Sequence, residues 1–453
     1  MPVVIVGAGS SGTLLALQLA RRPGRPILLI ERGNAREGCG VAFGTRHPAH
    51  VLNVRAAGMS AYPDEPEHFA RWLATNGGGA PTDFVPRGLY GRYLCDLLAA
   101  AKAEQPGRIT SVTGEVLAIS RRADGYDLAL CDGRTIVAAQ VVLSPGNLPP
   151  TAPDWLDDAT ATSGAYIDDP WADDLAARLP HDQRVVILGT GLSAVDAALR
   201  LHAAGFAGEM TCLSRRGLTP HRHLDGNFPP VLRETAPAPT LSVLVRDIRA
   251  RAAEIGWHAA VDGLRPVTQQ LWQHASIAER ARFLRHLRPY WDVHRHRLAP
   301  VVADTFRELV AAGRLRIAAG KISAVRHRDG ALAIDWLPRR TQAPQTLHAG
   351  AIVNCTGPQT DIRRTREPLL RQLLDAGFIR PDPLALGIDV DAGCRVIGGD
   401  GKPLPGLYCI GPMTRGTFWE IVAVPDIRRQ CAALAEGVAA ADARVPHLDE
   451  AGL

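Results

Sequence analysis

Short apolar runs that end in glycine-rich turns recur along the chain and predict strands leading directly into helices. The first run is Val3–Val6, followed by the turn 7–12, and the second is Val185–Leu188, followed by the turn 189–194. Each turn has the spacing G-x-G-x-x-G or G-x-G-x-x-A, and an apolar segment of helical periodicity follows it. The pattern predicts two strand–turn–helix units, far apart in one chain.

The spacing of both turns suits a dinucleotide pyrophosphate. The first glycine makes the tight turn, the second lets the pyrophosphate approach the backbone, and the third position must be small so that the helix packs on the strand. The helix N-terminus then faces the phosphates. The predicted cofactor-binding residues are Gly7, Gly9, Ser10, Ser11 and Gly12 in the first turn and Gly189, Gly191, Leu192, Ser193 and Ala194 in the second. Two such turns suggest two dinucleotides brought together for electron transfer.

The second strand of each unit, which follows the glycine turn and its helix, ends differently in the two units. The strand over 26–30 ends at Glu31, about twenty residues past the turn, where a carboxylate accepts the hydroxyls of an adenosine ribose. The strand over 209–213 leads instead into Arg215 and Arg216, whose guanidinium groups suit a ribose 2′-phosphate. The second site is therefore predicted to bind NADPH, with NADH as an alternative. A solvated charged side chain is the plain alternative at each strand end.

Composition narrows the class of protein. The chain has 453 residues, of which 46% are hydrophobic and 21% are charged, and this length allows roughly two or three globular domains. The formal net charge is +5 and the basic residues are dispersed, so nucleic acid is not expected as a partner. We find no signal peptide and no apolar run long enough for a membrane span, and we expect a cytoplasmic protein.

The cysteines and histidines suggest neither a disulfide centre nor a metal centre. None of the eight scattered cysteines forms C-x-x-C or C-x-x-x-x-C. We therefore expect a reduced chain without neighbouring thiols, which excludes a flavin–disulfide reductase. His294 and His296, with His286 nearby, lack the cysteine or carboxylate partners of a good ligand set. A polar helix face or contacts to a substrate anion are the preferred interpretations of these histidines.

The order of the elements predicts a discontinuous organisation. Residues 141–147 and 352–357 close the two units alike, each with an apolar strand that runs into a glycine. We expect an α/β fold with two Rossmann-like dinucleotide-binding domains, the second nested within the first, plus a helical insertion. The expected parts are the first domain over 1–150, the second domain over 151–350 with the insertion at about 220–300, and the rest of the first domain over 351–453.

Four further segments carry a family resemblance. They are 38–45, 52–56, 295–300 and 411–420, and together with the glycine turns they resemble the bacterial FAD/NAD(P)-binding protein family. That family is distantly similar to flavin-containing and N-hydroxylating monooxygenases. The resemblance implies FAD on the first domain, with the first glycine turn at its pyrophosphate and Glu31 at its ribose, and NAD(P)H on the second domain.

The resemblance also implies that the last strand–helix junction borders the flavin ring. Backbone N–H groups and the start of a helix at about Phe418 would stabilise the negative charge of reduced flavin there, with Gly411 and Thr417 as cofactor-binding candidates. No catalytic residue is identified, and the candidates near the ring are Asn53, Arg55, Thr417 and Trp419. Ordinary helix capping by Thr414 or Thr417 and an ordinary salt bridge of Arg55 are the alternatives. His221 and His223 are candidates for holding the nicotinamide dinucleotide, against solvated loop residues.

These features lead to an expected activity. Baeyer–Villiger and flavin-containing monooxygenases carry F-x-G-x-x-x-H-x-x-x-[YW] ahead of the second turn, but here Asp168 stands where the histidine would be. N-hydroxylating relatives lack that fingerprint too. We expect an FAD-dependent NAD(P)H oxidoreductase, a monooxygenase that forms a flavin hydroperoxide with dioxygen and hydroxylates a small nucleophilic substrate such as an amine. The alternatives are a reductase or dehydrogenase serving a quinone or protein, and a non-catalytic FAD-binding redox sensor. Nothing in the sequence names the substrate or the oligomeric state.

Overall fold

The computed structural model describes residues 1–33, 37–172, 174–225, 240–328, 330–341 and 343–443. Its strands are β1 (Val3–Val6), β2 (Ile27–Glu31), β3 (Ile109–Thr113), β4 (Val116–Arg121), β5 (Tyr126–Leu130), β6 (Thr135–Ala138), β7 (Gln140–Leu143), β8 (Tyr166–Ile167), β9 (Val185–Leu188), β10 (Met210–Ser214), β11 (Leu315–Arg328), β12 (Ala331–Pro338), β13 (Gln345–Ala349), β14 (Ala351–Asn354), β15 (Arg395–Ile397) and β16 (Pro403–Cys409). Its helices are α1 (Ser10–Ala20), α2 (Gly40–Phe43), α3 (His68–Asn76), α4 (Arg87–Glu104), α5 (Asp158–Thr162), α6 (Leu192–Ala203), α7 (Leu241–Asp262), α8 (Thr268–His274), α9 (Ile277–His286), α10 (Arg288–Arg295), α11 (Pro300–Ala311), α12 (Pro368–Asp375) and α13 (Val424–Ala443).

The first sheet has the strand order β15-β16-β7-β1-β2-β3. Strands β16, β7, β1, β2 and β3 are parallel, and β15 pairs with β16 in the antiparallel sense. The strand order reverses beside β1, because β2 lies on one side of it and β7 lies on the other. In open α/β sheets ligands bind at the carboxyl ends of the strands at such a reversal.

The second sheet repeats this arrangement with the order β13-β12-β11-β10-β9-β14-β8. Strands β8, β14, β9, β10 and the first part of β11 are parallel, whereas β11, β12 and β13 pair in the antiparallel sense. The order reverses beside β9, which lies between β14 and β10. The predicted α/β class with two Rossmann-like sheets is confirmed. A separate antiparallel sheet, β4-β5-β6, connects β3 to β7.

Helix α1 is the centre of the first core. Every residue from Ser11 to Ala20 is buried, because the helix packs on β1 and β2 and is covered by α4 and α13. Leu14 and Leu15 are 0% exposed. A helix that is apolar on all sides needs cover on all sides, so α13 returns from the far end of the chain to complete the first domain.

The helical insertion follows the second sheet's β10. Helices α7, α8, α9 and α10 occupy 241–295, which confirms that this part of the chain is helical. Helix α7 kinks at Gly256, whose φ of 82° is the left-handed conformation that glycine adopts without strain. The part of the expected insertion over 226–239 lies outside the described residues. None of the helices in the described ranges is both long and apolar enough to cross a membrane.

Truncation of Leu15 tests whether α1 is the centre of this core. We expect Leu15→Ala to lower the free energy of unfolding by about 2–5 kcal/mol, because it leaves a cavity that the surrounding elements cannot fill. Val301→Ala, at a site that is 62% exposed on α11, should change it by less than about 0.5 kcal/mol. Denaturant unfolding measures both values, and equal effects would contradict this description of the core.

Candidate functional site

The first glycine turn is held against the strand beside it. The Gly7 N–H donates to the Ile30 carbonyl at 2.9 Å, and the Ser144 N–H donates to the Val6 carbonyl at 2.8 Å. Gly7 has a φ of 105°, and a Cβ there would lie 2.2 Å from the Ser144 carbonyl oxygen. Only glycine fits this position, as the turn fingerprint requires.

The other two glycines of the turn control the start of α1. A Cβ on Gly12 would lie 2.0 Å from the Gly7 carbonyl oxygen, so the helix can begin this close to the strand only with glycine there. Gly9 precedes the helix and faces Gly40, with 3.5 Å between an added Cβ and the Gly40 Cα. No side chain caps the N-terminus of α1. Its first N–H groups are therefore available to a phosphate.

Glu31 lies beside this turn, as the sequence predicted. Its Oε2 accepts the Ala8 N–H at 2.9 Å, and its Oε1 accepts the Arg32 N–H at 3.1 Å. The carboxylate at the end of β2 thus reaches back to the loop that follows β1.

The second glycine turn reproduces the first. The Gly189 N–H donates to the Leu213 carbonyl at 2.8 Å, and the Cys355 N–H donates to the Leu188 carbonyl at 2.9 Å. Gly189 has a φ of 113°, and a Cβ there would lie 2.5 Å from the Cys355 carbonyl oxygen. Gly191 has no atom within 4 Å of an added Cβ. No side chain caps α6. The uncapped N–H groups at its start therefore form a similar cradle, next to β9, where the strand order of the second sheet reverses.

Arg215 and Arg216 follow β10 next to this second turn. The Ser214 hydroxyl connects strand end and turn, because it lies 2.9 Å from the Thr190 hydroxyl oxygen and accepts the Gly217 N–H at 3.0 Å. Arg215 is exposed, and the Arg216 guanidinium lies 6.0 Å from the Tyr290 ring centroid. Neither guanidinium forms an ion pair with any acidic side chain in the described part of the chain.

The junction after β16 meets the start of α1. Gly411 has a φ of 78°, and a Cβ there would lie 2.8 Å from the Ser11 hydroxyl oxygen. The Gly411 N–H donates to Gln430 Oε1 at 2.8 Å. The expected helix start at about Phe418 was wrong, because α13 begins only at Val424. Glu420 adopts a positive φ of 69°, which a helix does not allow.

The threonines of the junction bind backbone carbonyls. The Thr414 hydroxyl donates to the Gly411 carbonyl at 2.8 Å, and the Thr417 hydroxyl donates to the Val390 carbonyl at 2.7 Å. Neither side chain therefore caps α13. Thr417 lies in the junction as expected, and its hydroxyl oxygen keeps acceptor capacity.

Glu420 attaches the junction to the helical insertion. It is 4% exposed, its Oε1 accepts the Trp291 indole N–H at 2.8 Å, and its Oε2 lies 3.3 Å from Arg295 Nε and 3.6 Å from His296 Nε2. Burial alone would raise the pKa of Glu420, but His296, Arg295 and the Trp291 hydrogen bond lower it to about 2. The carboxylate is charged at neutral pH and holds α10 against the junction.

Trp419 is buried in this same contact, at 2% exposure. It stacks on Trp272 of α8 with ring centroids 4.5 Å apart, and the Arg415 guanidinium lies 4.3 Å from its ring centroid. Burial, with Arg288 nearby, lowers the pKa of Arg415 to about 10, so it stays charged at neutral pH. The contacts of Arg415, Glu420 and Trp272 join distant parts of the chain, so no sequence pattern predicts them.

Arg55 and Asn53 lie where the first domain meets the segment after β10. Arg55 donates to the Thr82 carbonyl at 2.5 Å and to the Leu224 carbonyl at 3.0 Å, and its guanidinium lies 4.7 Å from the Phe84 ring centroid. The Asn53 carbonyl oxygen lies 3.1 Å from His223 Nε2. Burial lowers the pKa of His223 to about 4, so this histidine is neutral at pH 7. His221 stacks on His294 with centroids 4.4 Å apart.

The expectation that no two thiols are neighbours was wrong. Cys39 and Cys95 are distant in sequence, but their side chains are in hydrogen-bonding contact, which together with burial raises the pKa of the Cys95 thiol above its usual value. The pair lies near the first glycine turn, since the Gly38 N–H donates to the Ala8 carbonyl at 2.9 Å. A raised pKa keeps the thiol protonated and unreactive at neutral pH.

Among the described residues, no group of three or more His, Cys, Asp and Glu could hold a metal ion.

Comparison with known proteins agrees with this geometry. A family model described as FAD-NAD(P)-binding matches residues 4–148, and one described as an FAD binding domain matches residues 323–423. The comparison with curated protein sequences found no significant match.

Three solved structures share the fold over nearly their whole length. L-lysine 6-monooxygenase from Pseudomonas syringae has a TM-score of 0.65 and 18% identity, with 98% of this chain and 99% of that chain covered. Ornithine N-hydroxylase from Kutzneria sp. 744 has a TM-score of 0.63 and 17% identity, with 96% and 98% covered. The thioredoxin reductase of T. acidophilum has a TM-score of 0.54 and 14% identity, with 97% and 98% covered.

The family models and the shared fold support a family of flavoproteins with two dinucleotide-binding domains, as the sequence resemblance predicted. The family models also support binding of FAD and NAD(P). At these identities the solved structures show the fold and leave the reaction open.

Removal of the Glu420 charge tests the contact between junction and insertion. The pKa of Glu420 in the folded protein, about 2, lies below its ordinary 4.5. The stabilisation is therefore fully present above about pH 4.5 and is lost as the pH falls towards 2. We expect Glu420→Gln to lower the free energy of unfolding by roughly 3 kcal/mol at pH 7, and the difference from wild type to shrink below about pH 4.5. Denaturant unfolding across this pH range, with the exposed Glu254→Gln as control, measures it. A small difference that does not change with pH would contradict the assignment.

Substituting alanine for each of the two glycines of the second turn, Gly189 and Gly191, distinguishes an effect on folding from an effect on ligand binding. Gly191→Ala should leave the thermal midpoint unchanged, because an added Cβ has open space around it. We expect it to weaken NADP⁺ binding about tenfold or more by blocking close approach of the pyrophosphate. Gly189→Ala should destabilise the protein, because its Cβ would clash with the Cys355 carbonyl. Calorimetry of unfolding and of NADP⁺ binding checks both, and unchanged affinity in Gly191→Ala would rule out a pyrophosphate at this turn.

Proposed function

We propose that this chain is an FAD-dependent monooxygenase that oxidises NADPH and hydroxylates a small nucleophilic substrate, with an amine as the first class to test. The single observation that carries the proposal is the pair of equivalent glycine turns, each tight against the neighbouring strand and followed by a helix without a side-chain cap. Two dinucleotides are needed to fill two such cradles. The reduction of one by the other is the simplest use of both.

The residues of the first site fit FAD. The clash of an added Cβ at Gly7 and Gly12 leaves a cradle shaped by backbone alone, and the open N-terminus of α1 suits a pyrophosphate. In this proposal Gly7, Gly9, Ser10, Ser11 and Gly12 bind the pyrophosphate, Glu31 binds the ribose, and Gly411 and Thr417 border the ring. The first domain then combines 1–150 with the chain that follows β14, because β14 (Ala351–Asn354) is a strand of the second sheet and the expected boundary at 351 falls before it. When bound, FAD supplies the two-electron and oxygen chemistry that side chains lack.

The second site, over 151–350, takes NADPH in this proposal. The backbone N–H groups of Gly191, Leu192, Ser193 and Ala194 bind its pyrophosphate, and Arg215 and Arg216 bind its 2′-phosphate. Support comes from the position of both arginines at the end of β10 beside the second turn and from the fork geometry of guanidinium. The Kutzneria structure, whose title names NADP⁺ beside reduced FAD and L-ornithine, has the same fold.

The overall reaction balances with one oxygen molecule per turnover. An amine R–NH₂ reacts with O₂, NADPH and H⁺ to give R–NHOH, NADP⁺ and H₂O. NADPH and the substrate each supply two electrons; one oxygen atom forms the N–O bond and the other leaves as water. The buried junction excludes water from the reacting region, which prevents waste of reducing equivalents.

Isotope labelling tests the monooxygenase assignment. The FAD-loaded protein is incubated with NADPH, ¹⁸O₂ and a panel of amines: L-lysine, L-ornithine, aniline and 1-naphthylamine. We expect NADPH oxidation with one ¹⁸O atom in a hydroxylamine product. NADPH oxidation only with a quinone such as menadione, and no label in any amine, would favour the reductase that the fold of thioredoxin reductase also allows. Absence of NADPH oxidation under all conditions would favour a redox sensor.

Cofactor preference tests the two arginines. We expect the double substitution Arg215→Ala with Arg216→Ala to raise KM for NADPH about tenfold to a hundredfold, because a phosphate loses two cationic partners. KM for NADH should stay within about twofold, since NADH has no 2′-phosphate. Arg178→Ala, an exposed arginine elsewhere on the second domain, is the matched control. Equal losses for NADPH and NADH would show that the arginines do not read the phosphate.

A further inference from the structure

A cavity of about 820 Å³ lies within the helical insertion and reaches the junction at Trp419. Helices α7, α8, α9 and α10 provide the rest of its wall, for example through Leu244, Val261, Leu271 and Phe283. This volume falls within the roughly 300–1,000 Å³ of pockets that hold small organic molecules. The cavity therefore adjoins the part of the protein where the flavin ring is proposed to lie.

Four flat groups, here termed the indole stack, lie at the side of the cavity next to the junction, and three of them, Trp272, Arg280 and Trp419, line the cavity. The members of the stack are Arg280, Trp272, Trp419 and Arg415. The two indoles stack with 21° between their planes, and each guanidinium lies over one of them, at 5.2 Å for Arg280 and 4.3 Å for Arg415. One face of each indole is covered by the other indole, so the guanidinium groups cover the outer faces. Both indoles line the cavity.

The stack is held in place by hydrogen bonds to the junction. The Trp272 indole N–H donates to the Gly416 carbonyl at 2.7 Å. Arg280 donates to the Ala275 carbonyl at 2.9 Å and to the Gln273 carbonyl at 3.0 Å, so most of its donors are already used. A ligand would therefore meet a fixed, mainly apolar surface with few polar partners.

The charges of the lining disfavour a cationic ligand. The one carboxylate in the described lining is Glu279, and its Oε2 already accepts the Ser276 N–H at 3.0 Å and the Ser276 hydroxyl at 2.9 Å at the N-terminus of α9. Arg249 and Arg280 line the same cavity and are cationic. Burial and neighbouring histidines lower the pKa of His294 to about 4, so it is neutral at pH 7. An ammonium ion here would lie among two guanidinium groups, and the single carboxylate of the described lining already accepts two hydrogen bonds from Ser276.

We propose that this cavity is the substrate site and that its substrate is an uncharged, mainly aromatic amine rather than an aliphatic ammonium. The inference rests on the proposed function for the reaction itself, and on the cavity alone for the class of ligand. The balanced step is the one given above with R an aryl group: one N–O bond forms, and the second oxygen atom leaves as water. The aromatic and aliphatic walls select the body of the substrate, and the two arginines of the described lining disfavour a cation.

Two probes of nearly equal shape test the class of ligand. At pH 7, 1-naphthylamine is uncharged, whereas 1-naphthylmethylamine is a cation with the same ring system. Isothermal titration of each into the FAD-loaded full chain measures binding directly, without any turnover. We expect 1-naphthylamine to bind at least about tenfold more tightly. L-lysine, which is aliphatic and cationic, should bind more weakly than either probe.

Two substitutions on α7 locate the binding site. Leu244→Trp fills part of the cavity, and we expect it to weaken 1-naphthylamine binding about tenfold. Ile255→Trp is the matched control, because Ile255 is 38% exposed on the same helix and does not line the cavity. Val245→Trp, on the same wall, gives a second test if Leu244→Trp does not fold.

The outcomes separate this inference from the proposed function. Equal or tighter binding of the cationic probe, or equal losses in Leu244→Trp and Ile255→Trp, would overturn the inference whatever the reaction is. If the binding pattern holds but ¹⁸O enters no amine, the ligand class stands and the monooxygenase assignment fails. If ¹⁸O enters L-lysine or L-ornithine in preference to aryl amines, the reaction stands and the ligand class is wrong.

Discussion

The structure depends on one kind of close contact, which occurs twice. In each case a glycine, at the point where a strand turns into a helix, lies against the backbone at the end of a neighbouring strand. Gly7 lies against the Ser144 carbonyl and Gly189 against the Cys355 carbonyl, at distances that exclude any Cβ. These contacts set each helix N-terminus at the reversal of strand order, where its N–H groups are open to a ligand. The two proposed cofactor sites, and the electron transfer proposed between them, depend on this one steric requirement.

The second constraint is the attachment of the helical insertion to the junction after β16. Glu420 in a left-handed conformation binds Trp291, Arg295 and His296, and Trp419 stacks on Trp272. A buried charge and a strained backbone both cost stability, so the surrounding contacts must hold them in place. Such costs are often found near functional sites. Here they fix the wall that the proposed substrate cavity shares with the proposed flavin site.

The features that depend on neighbouring residues could be predicted from sequence, and the contacts between distant residues could not. The glycine turns, the strands before them and Glu31 follow from short patterns whose physical cause lies within a few residues. The helix expected at Phe418 instead begins at Val424, because tertiary contacts hold Glu420 at a positive φ. The Cys39–Cys95 contact and the indole stack join residues far apart in the chain, and no periodicity reports such pairs. The binding roles proposed for the glycine turns, Glu31, Arg215, Arg216 and the residues near the ring are still predictions.

Anaerobic stopped-flow absorbance of the FAD-loaded protein, mixed with NADPH, tests the central claim most directly, because it isolates electron transfer between the two sites. The account predicts bleaching of the flavin band in a single turnover, and slower bleaching with NADH at the same concentration. No bleaching with either nucleotide, in protein that demonstrably binds both FAD and NADP⁺, would contradict the claim that the two glycine turns bring their dinucleotides together for reaction.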